Sequence, residues 1–176
     1  MKKINKTLLK KNPYAKQLLL YVVDKEPLEV FESTPSAIAK TVRGLSDRQL
    51  QKSPRAGKWS IAEIVSHLAD GEIVLGYRIR KVLAEPGAKI ESYDQNKWAK
   101  DLHYEKMDCR ERLVLFTAVR KANVKLLKSL RPAEWKRYGI HAERGKENIE
   151  KMLLLYAGHD MNHLKQIETI KNLFNR

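Results

Sequence analysis

Three histidines carry the chemistry that this sequence states most clearly. His159 and His163 stand four residues apart. In a helix that spacing places both imidazoles on one face, one turn apart. Zinc proteases grip their metal from a helix in the same way, although the glutamate of their motif is absent here. Leu155, Tyr156 and Ile167 share the face, which turns the pair toward a core. His67 lies between Ile64 and Leu68 and faces inward by the same argument. Three neutral imidazoles leave a fourth or fifth coordination position open, the pattern of a catalytic rather than a closed structural site. Zinc, nickel and cobalt suit such donors. Buried imidazoles can also be satisfied by hydrogen bonds alone, and spacing by itself does not bring the three together. His103 and His141 fall in connecting segments and are candidates for the mouth of a site.

The elements that must position these residues read as helices. Thr34-Pro35 has the form of a helix start, a capping hydroxyl followed by proline at the first turn; Ile38, Val42 and Leu45 follow at helical spacing, with Gly44 as a stop. Ser46-Asp47 opens a short helix toward Leu50, and residues 53–58 read as a loop. Ser60 with Glu63 forms a capping box, and an apolar stripe from Ile61 to Val82 runs on to Pro86-Gly87. Asp108 opens a third long helix that carries Leu113, Phe116, Val119, Asn123 and Leu127 and stops before Pro132. Asn148 caps the last helix, which carries the histidine pair. The long helices span roughly 35 Å each. No strand is expected. The fold class is therefore all-α, a four-helix bundle with long inter-helix connections at 85–107 and 131–147. Connections of that length in a compact domain are usually functional. Residues 1–33 read as a basic leader and helical lead-in, and 34–176 as the bundle domain.

Composition bounds the function. Hydrophobic residues make up 43% and charged residues 32% of the 176, an ordinary globular balance sufficient for a sizeable core. The single cysteine, Cys109, cannot form an intrachain disulfide, which fits a reducing compartment; it reads as an incidental thiol. The apolar run from Leu18 to Val23 is too short for a signal-peptide core, and no stretch reaches the ~20 apolar residues of a membrane span. A cytoplasmic protein with no membrane partner is expected. The net charge of +14 includes Lys2, Lys3, Lys6, Lys10, Lys11 and Lys16 near the start. Such charge attracts polyanions in a salt-dependent way, but no groove-reading motif accompanies it, so sequence-specific nucleic-acid binding is not expected.

Several motifs together resemble one family. Gly57-Lys58-Trp59-Ser60 leading into His67-Leu68-Ala69-Asp70 resembles the second-helix signature of the DinB-like family of metalloenzymes. Tyr93-Asp94-Gln95 with Trp98-Ala99 is similar to its loop motif, and His141-Ala142-Glu143-Arg144-Gly145 to its HPExG turn. Gly158-His159-Asp160 through His163-Leu164 and Gln166-Ile167 is similar to its last-helix signature. The resemblance covers residues 13–172 and departs at Ala142, where the turn usually has proline, and in the basicity. It implies a four-helix bundle that often dimerises. It also implies a zinc or nickel site made by His67, His159 and His163, and kinship with bacillithiol S-transferases, mycothiol-dependent enzymes and metal-dependent hydrolases.

The expected activity is transfer of a low-molecular-weight thiol to an electrophile at the three-histidine site. Metal-dependent hydrolysis and a non-enzymatic, stress-related metal-binding bundle are the alternatives. The missing glutamate beside the histidine pair weighs against a protease-like mechanism. Arg78 and His141 are candidate substrate contacts, Arg78 through its fork of donors, with Tyr93 and Trp98 as candidate pocket walls. Asp70 and Asp160 are candidates to orient imidazoles from behind. Gln166, three residues beyond His163, either bonds that ligand or fills the face.

Overall fold

A computed structural model describes residues 13–174 of the chain. Its helices are α1 (Pro13–Leu20), α2 (Pro27–Val42), α3 (Asp47–Gln51), α4 (Ile61–Ala84), α5 (Gln95–Asp101), α6 (Cys109–Lys128) and α7 (Ile149–Asn172). Strands β1 (Lys89–Ile90), β2 (Tyr138–His141) and β3 (Gly145–Asn148) complete it. Local chemistry sets the starts of the long helices. Ser60 accepts from the Glu63 amide while Glu63 accepts from the Ser60 amide, the reciprocal box expected at α4. Asp108 accepts from the Arg110 and Glu111 amides at α6, and Asn148 from Lys151 at α7.

The bundle consists of α2, α4, α6 and α7. Helix α4 packs chiefly on α6, and α2 chiefly on α7; α2 also meets α6, and α4 meets α7. Helices α2 and α4 therefore lie diagonally, as do α6 and α7, while α4 and α6 are direct neighbours, so the connections before α4 and after α6 must cross over. The core divides into two apolar halves. One gathers Ile61, Ile64, Leu68, Phe116, Leu164 and Ile167. The other gathers Phe31, Leu75, Ile79, Leu127, Ile149 and Met152. Between them, at mid-height on α4, α6 and α7, lies a layer of buried polar side chains: His67, Glu72, Arg120, Asn123, Asp160 and His163.

Three sequence expectations need correction. Thr34-Pro35 does not start a helix. Helix α2 begins at Pro27, and Pro35 lies buried inside it. Proline lacks the amide that would bond the carbonyl four residues back. Here that carbonyl, of Phe31, is taken by the Arg120 guanidinium instead, so the defect is repaired from another helix. Second, a boundary at residue 34 falls inside α2, and part of the supposed lead-in is core: Leu18, Leu19, Val22 and Phe31 are buried, and α1 packs on α7. The leader's first twelve residues lie outside those described.

Third, the chain has a small sheet. The connection 85–107 contains β1 and α5, and 131–147 contains β2 and the start of β3. Strand β1 pairs parallel to β2, with Ile90 opposite His141, and β2 pairs antiparallel to β3, with His141 opposite Gly145. Strands of two to four residues are too short for alternation to register. The sheet pins the two long connections to each other beside α4. Among the described residues, no helix is long and apolar enough to cross a membrane.

Candidate metal centre

His67 is carried by α4, and His159 and His163 by α7. These neighbouring helices bring the three rings together. Nε2 of His67 lies 3.0 Å from Nε2 of His159, and Nε2 of His163 lies 3.1 Å from it. One ring nitrogen from each falls within 4.8 Å of the others, and among the described residues no carboxylate or thiol joins the group. Nitrogens that converge edge-on are where lone pairs would meet a single ion. His67 and His163 are buried and His159 is half-buried.

The environment keeps these imidazoles neutral. Burial, and then the charge of His163, drops the pKa of His67 to about 3. Burial takes His163 to about 4, against the opposing bond to Gln166. His159 is lowered well below its ordinary value by burial and then by its two neighbours. Desolvation disfavours the charged ring, and a neutral ring is the metal-binding form. With Gln166 Oε1 as acceptor at 2.9 Å, Nδ1 of His163 carries its proton and Nε2 presents its lone pair. Gln166 thus orients the His163 ring. His159 has no such partner: its Nδ1 is buried and unbonded. Trp59 packs beside His67 with ring centroids 5.0 Å apart, and Tyr156 lies 6.1 Å from His159. Three neutral nitrogen donors, mutually aimed, fit a borderline divalent cation.

Comparison with known proteins places the chain. The model of the DinB superfamily matches residues 31–167. The chain belongs to the DinB superfamily. An Oceanobacillus iheyensis protein named "putative metal-dependent hydrolase" is 30% identical over 149 residues, covering 85% of this chain and 86% of that one. A Bacillus mycoides protein of the same name is 29% identical over 154 residues, 88% of each chain. Among solved structures, YfiT from Bacillus subtilis, described as a probable metal-dependent hydrolase with an unusual four-helix bundle topology, superposes with a TM-score of 0.79. The two are 25% identical, with 85% of this chain and 86% of YfiT covered.

Within this DinB bundle the other expected site residues divide. Arg78 is not on the surface: it is buried, donating to the Tyr156 hydroxyl at 3.2 Å and to the Glu91 carbonyl. It therefore links α4 and the β1–α5 connection to Tyr156, the residue beside His159. Tyr93 and Trp98 stack at 4.5 Å, with the Arg78 guanidinium 5.9 Å from the Tyr93 ring. Together with Val74, Arg78 and Ile90 they line a cleft of about 390 Å³ along α4. The Tyr93 hydroxyl lies against Gly71, one turn from His67. His141 sits on β2 opposite Ile90, buried, its Nδ1 accepting from the Glu143 amide. His103 is exposed in a left-handed turn beside Glu105.

Asp70 and Asp160 do not face the imidazoles. Asp70 accepts from Tyr104 at 2.6 Å and from Arg112. Asp160 accepts from Arg120 at 2.7 Å. Sequence reasoning passed over Arg120 and Glu72, and took Trp59 and Tyr156 only as parts of a motif and a stripe. A signal for Arg120 existed. It continues the spacing Leu113, Phe116, Asn123, Leu127 on the inward face of α6, where an unpaired arginine would be costly.

Proposed function

We propose that this protein is a metal-dependent enzyme that transfers a low-molecular-weight thiol to an electrophilic acceptor at the His67–His159–His163 centre. The observation that carries this reading is the donor set itself: three neutral nitrogens, with no carboxylate among them. A divalent cation held by these neutral donors would keep its full charge and would supply a nucleophile at neutral pH by lowering the pKa of a bound thiol or water. His67, His159 and His163 would hold it, and Gln166 fixes the tautomer of His163. In the transfer the thiol loses its proton to solvent. Its sulfur then bonds the acceptor's electrophilic carbon, and the leaving group departs with its electron pair.

The chain's own residues shape the rest. Tyr156 keeps its proton, because burial raises its pKa against the opposing charges of Arg78 and Arg144. The cleft walled by Tyr93 and Trp98, with Arg78 at its base, is the proposed substrate surface. His141, opposite Ile90 of that cleft, braces it from β2. Cys109 takes no part: it is buried, and burial raises its thiol to about pKa 11.

Hydrolysis is the second reading, and the names of the relatives favour it. It calls for a base that positions water. The nearby buried carboxylates, Asp70, Glu72 and Asp160, are engaged by Arg112 and Arg120, which supports the thiol reading. The test is to load the protein with zinc or nickel. A panel of small thiols is then offered with haloaromatic and epoxide acceptors, alongside a panel of esters and amides. Conjugation lost in His163→Ala and retained in Cys109→Ser is the expected result. Metal-dependent ester or amide cleavage without a thiol requirement would replace the transferase reading with the hydrolase one.

A further inference from the structure

We infer that Arg120 is a positioning residue for the metal centre, fixing through Asp160 the place of His159 on α7. The inference rests on reading the three histidines as metal ligands, and its ground is an asymmetry among them. His163 is oriented by its bond to Gln166, and His67 packs on Trp59. The His159 ring has no bond at Nδ1, which is buried without a partner, and its Nε2 meets only the Nε2 atoms of the other two histidines. Metal-binding histidines ordinarily donate that second N–H to an acceptor that fixes the ring. With that acceptor missing, the direction of His159 must come from the backbone that carries it.

That backbone is tied on both sides of the residue. At Gly158 the Leu18 carbonyl of α1 lies so close that an added Cβ would collide with it. At Asp160 the side chain bonds Arg120 of α6, and the Thr34 hydroxyl of α2 also reaches it. Arg120 in turn donates to Glu72 of α4 at 2.8 Å and to the Phe31 carbonyl of α2, the one left free by Pro35. Its guanidinium is sandwiched between the rings of Phe31, at 3.5 Å, and Phe116, at 4.6 Å. Asn123 fixes Glu72 from the side at 2.8 Å. One buried cation therefore holds all four long helices at a single level. Two of its contacts, Glu72 and Asp160, lie on the helices that supply His67 and His159. A planar fork with several fixed donors sets register in a way that a single apolar contact cannot. Asp160 thus serves His159 through Arg120 rather than by bonding an imidazole.

The test uses cobalt(II) as the probe on the full chain. Asp160→Asn loosens the tie next to His159. The triple variant Arg120→Met/Glu72→Gln/Asp160→Asn removes the clamp while leaving no unpaired charge, so it keeps more stability than Arg120→Met alone. Leu127→Ala, in the apolar half formed with Ile79 and Met152, is the control for general destabilisation. The expected result is a fall in cobalt affinity of about 10-fold or more in Asp160→Asn and the triple variant, the size usual for groups behind the ligands. The visible absorption of bound cobalt should shift with it, and Arg120→Lys should restore part of both. Leu127→Ala should lower the thermal midpoint while leaving affinity and spectrum unchanged. Wild-type affinity and spectrum in Asp160→Asn and the triple variant would overturn the inference. A wild-type protein that binds no cobalt would sink the metal reading, and this inference with it, as a distinct outcome.

Discussion

Two clusters of buried polar groups share the middle layer of this bundle, and they are built on opposite principles. In the Arg120 cluster donors meet acceptors: a guanidinium faces two carboxylates and a carbonyl. In the histidine cluster like meets like: three Nε2 atoms point at one another, and burial keeps them uncharged. The first is closed by opposite charges, with only the Nε of Arg120 left without a partner. In the second, ring nitrogens face one another and Nδ1 of His159 stays unbonded, the arrangement on which the proposed metal reading rests. Burial alone does not distinguish the two, since buried groups make up most of both; the kind of groups that face each other does.

The sharpest way to break the contrast is to delete each cluster and measure a different quantity. Removing the histidines should abolish metal binding without harming the fold. His159→Ala/His163→Ala should lose more than about 100-fold in zinc or cobalt affinity, beyond the loss expected for groups behind the ligands. His67→Ala should weaken binding strongly. Equilibrium dialysis gives the affinity, and the metal-free thermal midpoint should stay near that of the wild type. Full occupancy in the double variant would show that these nitrogens are not the ligands.

Removing the arginine should strike the fold first, with the smaller loss of metal affinity, roughly 10-fold, accompanying it. Arg120→Met leaves Glu72 and Asp160 facing each other, buried and unpaired, which costs about 3–5 kcal/mol when a buried pair loses one partner. Urea denaturation would show it. A loss below about 1 kcal/mol would mean that water reaches the layer and that the cluster is not sealed. Between these extremes stands Gln166→Ala, which frees the His163 ring. Metal affinity should drop roughly 10-fold with little change in stability, because Gln166 is exposed.

Much of this was legible in the residues, and the exceptions have physical causes. The capping boxes and caps at Ser60, Asp108 and Asn148 announced the long helices because local hydrogen bonds decide helix starts. The shared face of the histidine pair was legible because a spacing of four is rigid in a helix, and the three rings do converge. Pro35 misled because its missing hydrogen bond is repaired by Arg120, from a residue 85 positions away in the chain. The sheet was invisible because its strands are too short to alternate. Asp70 and Asp160 were assigned to the histidines on proximity in sequence alone. Their true partners, Arg112 and Arg120, lie on α6, and no spacing rule links one helix to another.

Gly158 tests how tightly the backbone behind the histidines is held. Ala is normally the better helix former, by about 1 kcal/mol. Here its methyl would strike the Leu18 carbonyl, a backbone atom that cannot step aside without moving α1. Gly158→Ala should therefore destabilise the protein, by about 1–3 kcal/mol, the usual cost of overpacking. A stabilised variant would show that α1 is not seated on α7.

The smallest effect is expected at Cys109, a buried group with neither a lone-pair cluster nor a charge partner of the Arg120 kind. It opens α6, where the helix dipole and Arg110 favour thiolate. Burial and then Asp108 outweigh them and raise the pKa to about 11. An unfolded thiol titrates near 8.5. Because the folded value lies above the unfolded one, folding favours the protonated form. That contribution is fully present below about pH 8.5 and is lost as pH rises toward 11. Reaction with a disulfide reagent at pH 8 should therefore be slow in the native protein and fast in urea. The native rate should climb about tenfold per pH unit until the thiol titrates. Cys109→Ser should leave metal binding and turnover unchanged. Fast native labelling at pH 8 would place the thiol in contact with solvent, and a fall in turnover in the serine variant would bring it into the chemistry.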